Sequence, residues 1–150
     1  MLFLYEKILV GVDGSEYADA ALENAIELAK AFKSTLLIVN AYTAPPVSKG
    51  TISEFPPPLY ISPVALEGVK SVLEKSQEHA KRAGVASVET KFVLTADNPG
   101  TAIIKEAETA GASLIVVGSR GLTGIKRVIL GSVASYVAQY AHCNVHIVRR

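Results

Sequence analysis

One cysteine in 150 residues, Cys143, excludes an internal disulfide, and three scattered histidines offer no zinc-ligand spacing. His142 precedes Cys143, but adjacent residues on a chain rarely face each other as nucleophile and base, so an inert buried thiol is expected. Neither sign of charge dominates. Fifteen Lys+Arg against fourteen Asp+Glu leave a formal +1, too little to draw the chain to nucleic acid or to an anionic membrane. No apolar run approaches the roughly 18 residues of a membrane span, which predicts a soluble protein. The opening Met1-Leu2-Phe3-Leu4-Tyr5 has no basic lead, long hydrophobic stretch or small-residue cleavage site. It does not read as a signal peptide, and the cytoplasm is the expected compartment.

What is present suits one core. Apolar residues make up 49% and charged residues 19%, which predicts a single globular domain over residues 1–150. Strand and helix signals alternate along the chain. Lys7–Val12 is a short apolar run closed by Asp13-Gly14-Ser15. Ser15 then caps a helix whose apolar positions Ala18, Ala21, Leu22, Ala25, Ile26, Ala29 and Phe32 fall on one face. Thr35–Ala41 reads as a second buried strand. Tyr42 to Ser62 holds five of the seven prolines and is expected to be irregular. Ser62-Pro63 starts a helix with a stripe of Leu66, Val69, Leu73, Ser76 and Ala80, stopped near Gly84. Ser87–Leu94 alternates like a strand near a sheet edge. Asn98-Pro99 starts a helix to about Ala110, with Gly111 ending it. Ser113–Gly118 reads as a central strand, followed by a glycine-rich loop to Gly131, a helix from Ser132 to about Ala141, and a last strand, Asn144–Val148. This alternation predicts a three-layer α/β domain, a parallel sheet with helices on both faces.

In such sheets ligands bind outside the carboxyl ends of the strands, so the strand exits carry the chemistry. The exit of the fourth strand is the richest. Gly118, Gly121 and Gly131 let backbone N–H groups approach an anion, and Gly131-Ser132 open a helix whose positive end favours phosphate. Arg120, Lys126 and Arg127 add three positive charges, with no acid between Gly118 and Ser132. The competing explanation is that these glycines only turn the chain and Ser132 only caps a helix. At the first exit, Asp13 has the chemistry to accept hydrogen bonds from ribose hydroxyls, or simply to help cap the following helix. GxxxxGK[ST] and GxGxxG are both absent, so the chain is neither a P-loop protein nor a standard dinucleotide binder.

Gly118-x-x-Gly121, nine residues, then Gly131-Ser132 resembles the nucleotide motif of the universal stress protein family. The stretch Lys7–Ser15 resembles that family's first strand and turn, and Asn144–Arg150 its terminal strand. The resemblance implies a Rossmann-like open sheet of five parallel strands ordered 3-2-1-4-5. It implies an adenine nucleotide (ATP, ADP or AMP) as ligand, with Mg2+ carried in by the nucleotide. Gly11, Val12 and Asp13 would then lie against adenine and ribose, and the main chain around Ala41 would meet adenine. Asn40-Ala41 stands where the family often has His-Val. Val117 and Gly118 would pack by ribose, while Gly121, Gly131, Ser132, Val133 and Ala134 would hold phosphates mainly through backbone N–H groups. Ala134 stands where some members carry a hydroxyl. The resemblance also implies a homodimer through the last strand, Asn144, Val145, His146, Ile147 and Val148, whose apolar residues on an edge call for cover.

The expected function is that of a nucleotide-binding stress-response regulator or sensor. No evident base activates water and no acidic pair fixes a catalytic metal, so slow ATP hydrolysis is the most expected of it as an enzyme. A slow ATPase or phosphotransferase, modifying a serine such as Ser132, and a nucleotide-free dimeric interaction module are the alternatives.

Overall fold

The computed structural model describes residues 4–45, 59–121 and 130–150. Lys126 and Arg127, and most of the proline-rich stretch, lie outside the described residues. The elements run β1 (Lys7–Gly11), α1 (Glu16–Phe32), β2 (Thr35–Thr43), α2 (Pro63–Arg82), β3 (Ser87–Thr95), α3 (Pro99–Ala110), β4 (Leu114–Gly118), α4 (Ser132–Tyr140) and β5 (Asn144–Val148). The five strands form one sheet in the order β3-β2-β1-β4-β5, and every neighbouring pair is parallel. The fold is an α/β Rossmann-like sheet with helices on both faces.

The register follows from burial. β1, β2 and β4 lie inside the sheet and read as nearly continuous apolar runs because both of their faces are covered. Ile8, Val10, Leu36, Ile38, Leu114 and Val116 point to one face, where they pack on α1 and α2. Leu9, Leu37, Val39, Ile115 and Val117 point to the other, against α3 and α4. The α1 face is the one its periodicity predicts: Ala18, Ala21, Leu22, Ala25, Ile26 and Ala29 are buried. Phe32, at its end, is half-buried and meets Tyr5 edge-on, with ring centroids 5.1 Å apart. β3 is an edge strand, and Ser87, Glu89 and Lys91 on its α3 side are exposed.

Several boundaries differ by a residue or two from the sequence expectation: β1 ends at Gly11, β3 runs on to Thr95 and β4 starts at Leu114. Tyr42 and Thr43 belong to β2 rather than to the irregular stretch, because β3 runs alongside as far as Thr95 and pairs with both. Ala44 still donates its N–H to the Thr95 carbonyl at 2.8 Å. A partner strand therefore overrides the turn signal of Ala44-Pro45 by two residues. At α4 the capping residue is Gly131, and Ser132 is the first helical residue, so Ser132 is not a cap. Among the described residues, no helix is long and apolar enough to cross a membrane.

Candidate functional site

A cavity of about 530 Å³ opens at the carboxyl end of the sheet, between the exits of β1, β2 and β4 and the starts of α3 and α4. Pockets of this size hold small organic ligands. β1 contributes Gly11, Val12 and Asp13; β2 contributes Ala41; β4 and its exit contribute Val117, Gly118, Arg120 and Gly121. Gly131, Ser132, Val133 and Ala134 close the side formed by α4. All twelve residues singled out in the sequence thus line one cavity. Five more lining residues were not singled out: Ala18, Val39, Pro99, Ile103 and Leu130. Pro99 was within reach, because Asn98-Pro99 starts a helix at a strand exit, where ligands of such sheets lie. Ile103 one turn later faces the cavity only because α3 crosses back over β2.

The cavity is apolar on its β2 side and polar at its α4 end. On the apolar side, Val39, Ala41, Ile103 and Val117 form the walls, and a Cβ at Gly11 would lie 3.2 Å from Ile103 Cδ1. Alternation along β2 decides where its backbone groups point. Thr35 N–H donates to Glu6 and the Val39 carbonyl accepts from Val12 N–H, both at 2.9 Å, so odd-numbered residues face β1. β1 then turns away at Asp13-Gly14. The Ala41 N–H and C=O therefore point into the gap that β1 leaves. An adjacent donor and acceptor between apolar walls suit the edge of a flat heteroaromatic base.

Asp13 stands at the mouth. Its Oδ1 accepts the Ser15 N–H at 2.9 Å, which fixes the turn ahead of α1. Its Oδ2 looks across to the β4 exit, 3.2 Å from where a Cβ on Gly121 would sit. One oxygen holds the turn while the other is aimed at the cavity side, so the capping role and a ligand role are compatible.

At the α4 end the cavity meets backbone donors. Ser15 Oγ accepts Ala18 N–H, Ser62 Oγ accepts Ala65 N–H and Asn98 Oδ1 accepts Gly100 N–H, at 3.1, 3.2 and 2.8 Å. Gly131 gives α4 no side-chain cap. Among the described residues, no acceptor bonds the N–H groups of Ser132, Val133 and Ala134, and the helical ladder begins with Ser135 N–H to Gly131 O at 3.0 Å. All three residues line the cavity. Three unpaired donors at the positive end of a helix are what an anionic group requires.

The glycines of this exit are needed for close packing of chain against chain. A Cβ at Gly118 would lie 2.7 Å from the Tyr17 carbonyl oxygen, and one at Gly131 3.1 Å from Arg120 Cα. Their φ angles are not left-handed; the described positive-φ glycines are Gly14, Gly84 and Gly111. The sequence reading gave these glycines to anion approach, and the structure adds this packing reason. The exit is further pinned by Ser119, whose N–H donates to Val148 O at 2.8 Å and whose carbonyl accepts Gly131 N–H at 2.6 Å.

Away from the cavity, Cys143 is half-buried rather than buried as expected, and this partial burial still pushes its thiol above its ordinary pKa, partly offset by a backbone hydrogen bond. His142 faces Glu108 at 3.8 Å rather than the sulfur. Among the described residues, no group of three or more His, Cys, Asp and Glu side chains is placed to hold a metal ion.

Residues 4–149 match the model of the universal stress protein family. The chain belongs to the universal stress protein family. Among its relatives, this universal stress protein is 35% identical to universal stress protein YxiE of Bacillus subtilis, over 97% of this chain and all of that one. A solved universal stress protein in complex with cAMP is 30% identical, with a TM-score of 0.72 and 97% of each chain covered. UspA from Lactobacillus plantarum is 25% identical with a TM-score of 0.78, covering 97% of this universal stress protein and 98% of that structure.

Proposed function

We propose that this chain is a single-domain, adenine-nucleotide-binding regulator or sensor of the stress response. The observation that carries the reading is the α4 start, where three backbone donors without an acceptor among the described residues belong to residues lining an apolar cavity that has a donor–acceptor pair, Ala41, at its other end. Adenine offers N1 as acceptor and its amino group as donor to Ala41. Asp13 Oδ2 accepts from ribose, and the phosphate lies on Ser132, Val133 and Ala134 with Arg120 beside it. The solved relative that binds cAMP supports the same ligand class. ATP, ADP and AMP all satisfy this chemistry, and Mg2+ enters with the polyphosphate. The protein holds the nucleotide as a signal, with at most slow hydrolysis, and works in the cytoplasm.

The oligomer belongs to the proposal. β5 is an edge strand with Val145 and Ile147 half-buried and Tyr140 of α4 57% exposed close by in sequence. A second copy pairing along Asn144, Val145, His146, Ile147 and Val148 satisfies the open backbone and covers these side chains.

Denaturing extraction of freshly purified protein, followed by chromatography of the released nucleotide, tests the binding reading. Near-stoichiometric adenine nucleotide is expected. An empty protein that also gives no calorimetric signal with ATP and AMP would favour the nucleotide-free interaction module. Sedimentation of a chain lacking Val145–Arg150 tests the dimer, since an intact dimer refutes pairing through β5.

A further inference from the structure

Arg120 is the one Lys or Arg among the described residues that line the cavity. A long side chain at a cavity edge samples many rotamers and loses that freedom when it meets an anion. Here both ends of Arg120 are held. Its backbone lies against Gly131, where a Cβ would come within 3.1 Å of Arg120 Cα. Its guanidinium carbon lies 5.8 Å from the centroid of the Tyr17 ring, and Nη1 donates to the Tyr17 hydroxyl at 3.4 Å. Tyr17 itself does not line the cavity. It sits in the first turn of α1, half-buried, with its backbone wedged against Gly118 so closely that only glycine fits there. The backbone that carries the ring is thus fixed by the contact that joins α1 to the β4 exit.

We infer that Tyr17 is a positioning residue that holds the Arg120 guanidinium ready for the phosphate of the bound nucleotide. The inference rests on the nucleotide reading above and goes beyond it, because Tyr17 touches no ligand and acts through Arg120. An aromatic face within about 6 Å of a guanidinium attracts it without neutralising its charge, so the Tyr17 contact leaves the positive charge in place beside the cavity. The consequence is confined to ligands that carry phosphate. Adenosine, which uses the apolar end of the cavity, is indifferent to Tyr17.

Calorimetric titration of the full chain with adenosine and with AMP reads this directly. In the native protein AMP is expected to bind more tightly than adenosine. Tyr17→Leu should reduce the ratio of the two affinities about three- to fivefold while leaving the adenosine affinity unchanged. Tyr17→Phe, which keeps the ring face, should preserve the ratio. Arg120→Gln alone should lower it, and Tyr17→Leu added to Arg120→Gln should lower it no further. An unchanged ratio in Tyr17→Leu or in Arg120→Gln overturns the inference. So does an equal loss for both ligands, or a second drop in the double variant. A native protein that binds neither ligand removes the nucleotide reading itself. A native protein that binds both equally removes the phosphate site at α4 together with the role of Arg120 and Tyr17, and leaves the base and ribose end of the nucleotide reading standing.

Discussion

Two strand exits frame the cavity, and they treat the helices that follow them in opposite ways. After β1, Ser15 Oγ accepts Ala18 N–H and Asp13 Oδ1 accepts Ser15 N–H, so the start of α1 is closed by its own side chains. After β4, Gly131 supplies no side chain, and among the described residues no acceptor meets the first three N–H groups of α4, whose residues line the cavity. α2 and α3 follow the first pattern. Gly in place of a side-chain cap costs only about a few tenths of a kcal/mol, and here that small cost falls at the end that faces the cavity. The closed exit holds the scaffold, and the open exit is where the proposed phosphate would take the place of a side-chain cap.

The difference can be broken most severely from the open side. Gly131→Asp installs a carboxylate cap where the phosphate is proposed to lie. It should weaken AMP binding about 100-fold, the value of one or two charge-assisted hydrogen bonds. Calorimetry on protein shown to be folded by its thermal melt checks this, and undiminished AMP affinity would sink the phosphate site at α4. A smaller effect is expected from Asp13→Asn, which retains an oxygen for the Ser15 N–H but lowers the charge facing the ribose. Nucleotide affinity should fall about five- to tenfold with little change in melting temperature. Loss of stability instead would assign Asp13 to the turn alone. On the closed side, Ser15→Ala should cost about 1 kcal/mol of stability in urea denaturation, without changing the preference for AMP over adenosine. The smallest effect lies far from both exits. The Cys143 thiol, with its pKa raised by burial, should react with a neutral-pH alkylating reagent more slowly than the same thiol in urea. The neutral thiol is the form the fold favours. Its small contribution is therefore complete below the ordinary thiol pKa and declines as pH rises through it, where the unfolded chain ionises first.

The alternation of apolar runs and capped helices made the layers and the position of β3 near an edge legible from the sequence. It did so because each element obeys its local preference. Ser15, Ser62-Pro63 and Asn98-Pro99 all start helices where such residues should. The strand order came only from the resemblance, since periodicity says nothing about which strands are neighbours. The same limit explains the lining residues that went unnoticed. Val39 and Ile103 read as ordinary core positions, and only the crossing of α3 over β2 brings them to the cavity. Gly118 and Gly131 illustrate a subtler gap. Their spacing marks the exit as special, but the contact with Tyr17 that demands glycine at 118, and the close approach of Arg120 to Gly131, arise from parts of the chain distant in sequence. Tyr42 and Thr43 extend β2 for a similar reason, because β3 offers them partners.

The central position of β1 has a consequence for how the molecule is made. β1 leaves the ribosome first, yet its second neighbour in the sheet, β4, pairs Ile8 with Leu114 and emerges last but one among the strands. Until that long closure the nascent chain has only one side of its central ladder, and long-range parallel pairing is slow to form. The walls of the cavity span Gly11 to Ala134, so a chain interrupted anywhere before α4 has no complete cavity. A chain that stops short of α4 therefore lacks the wall that Ser132, Val133 and Ala134 supply.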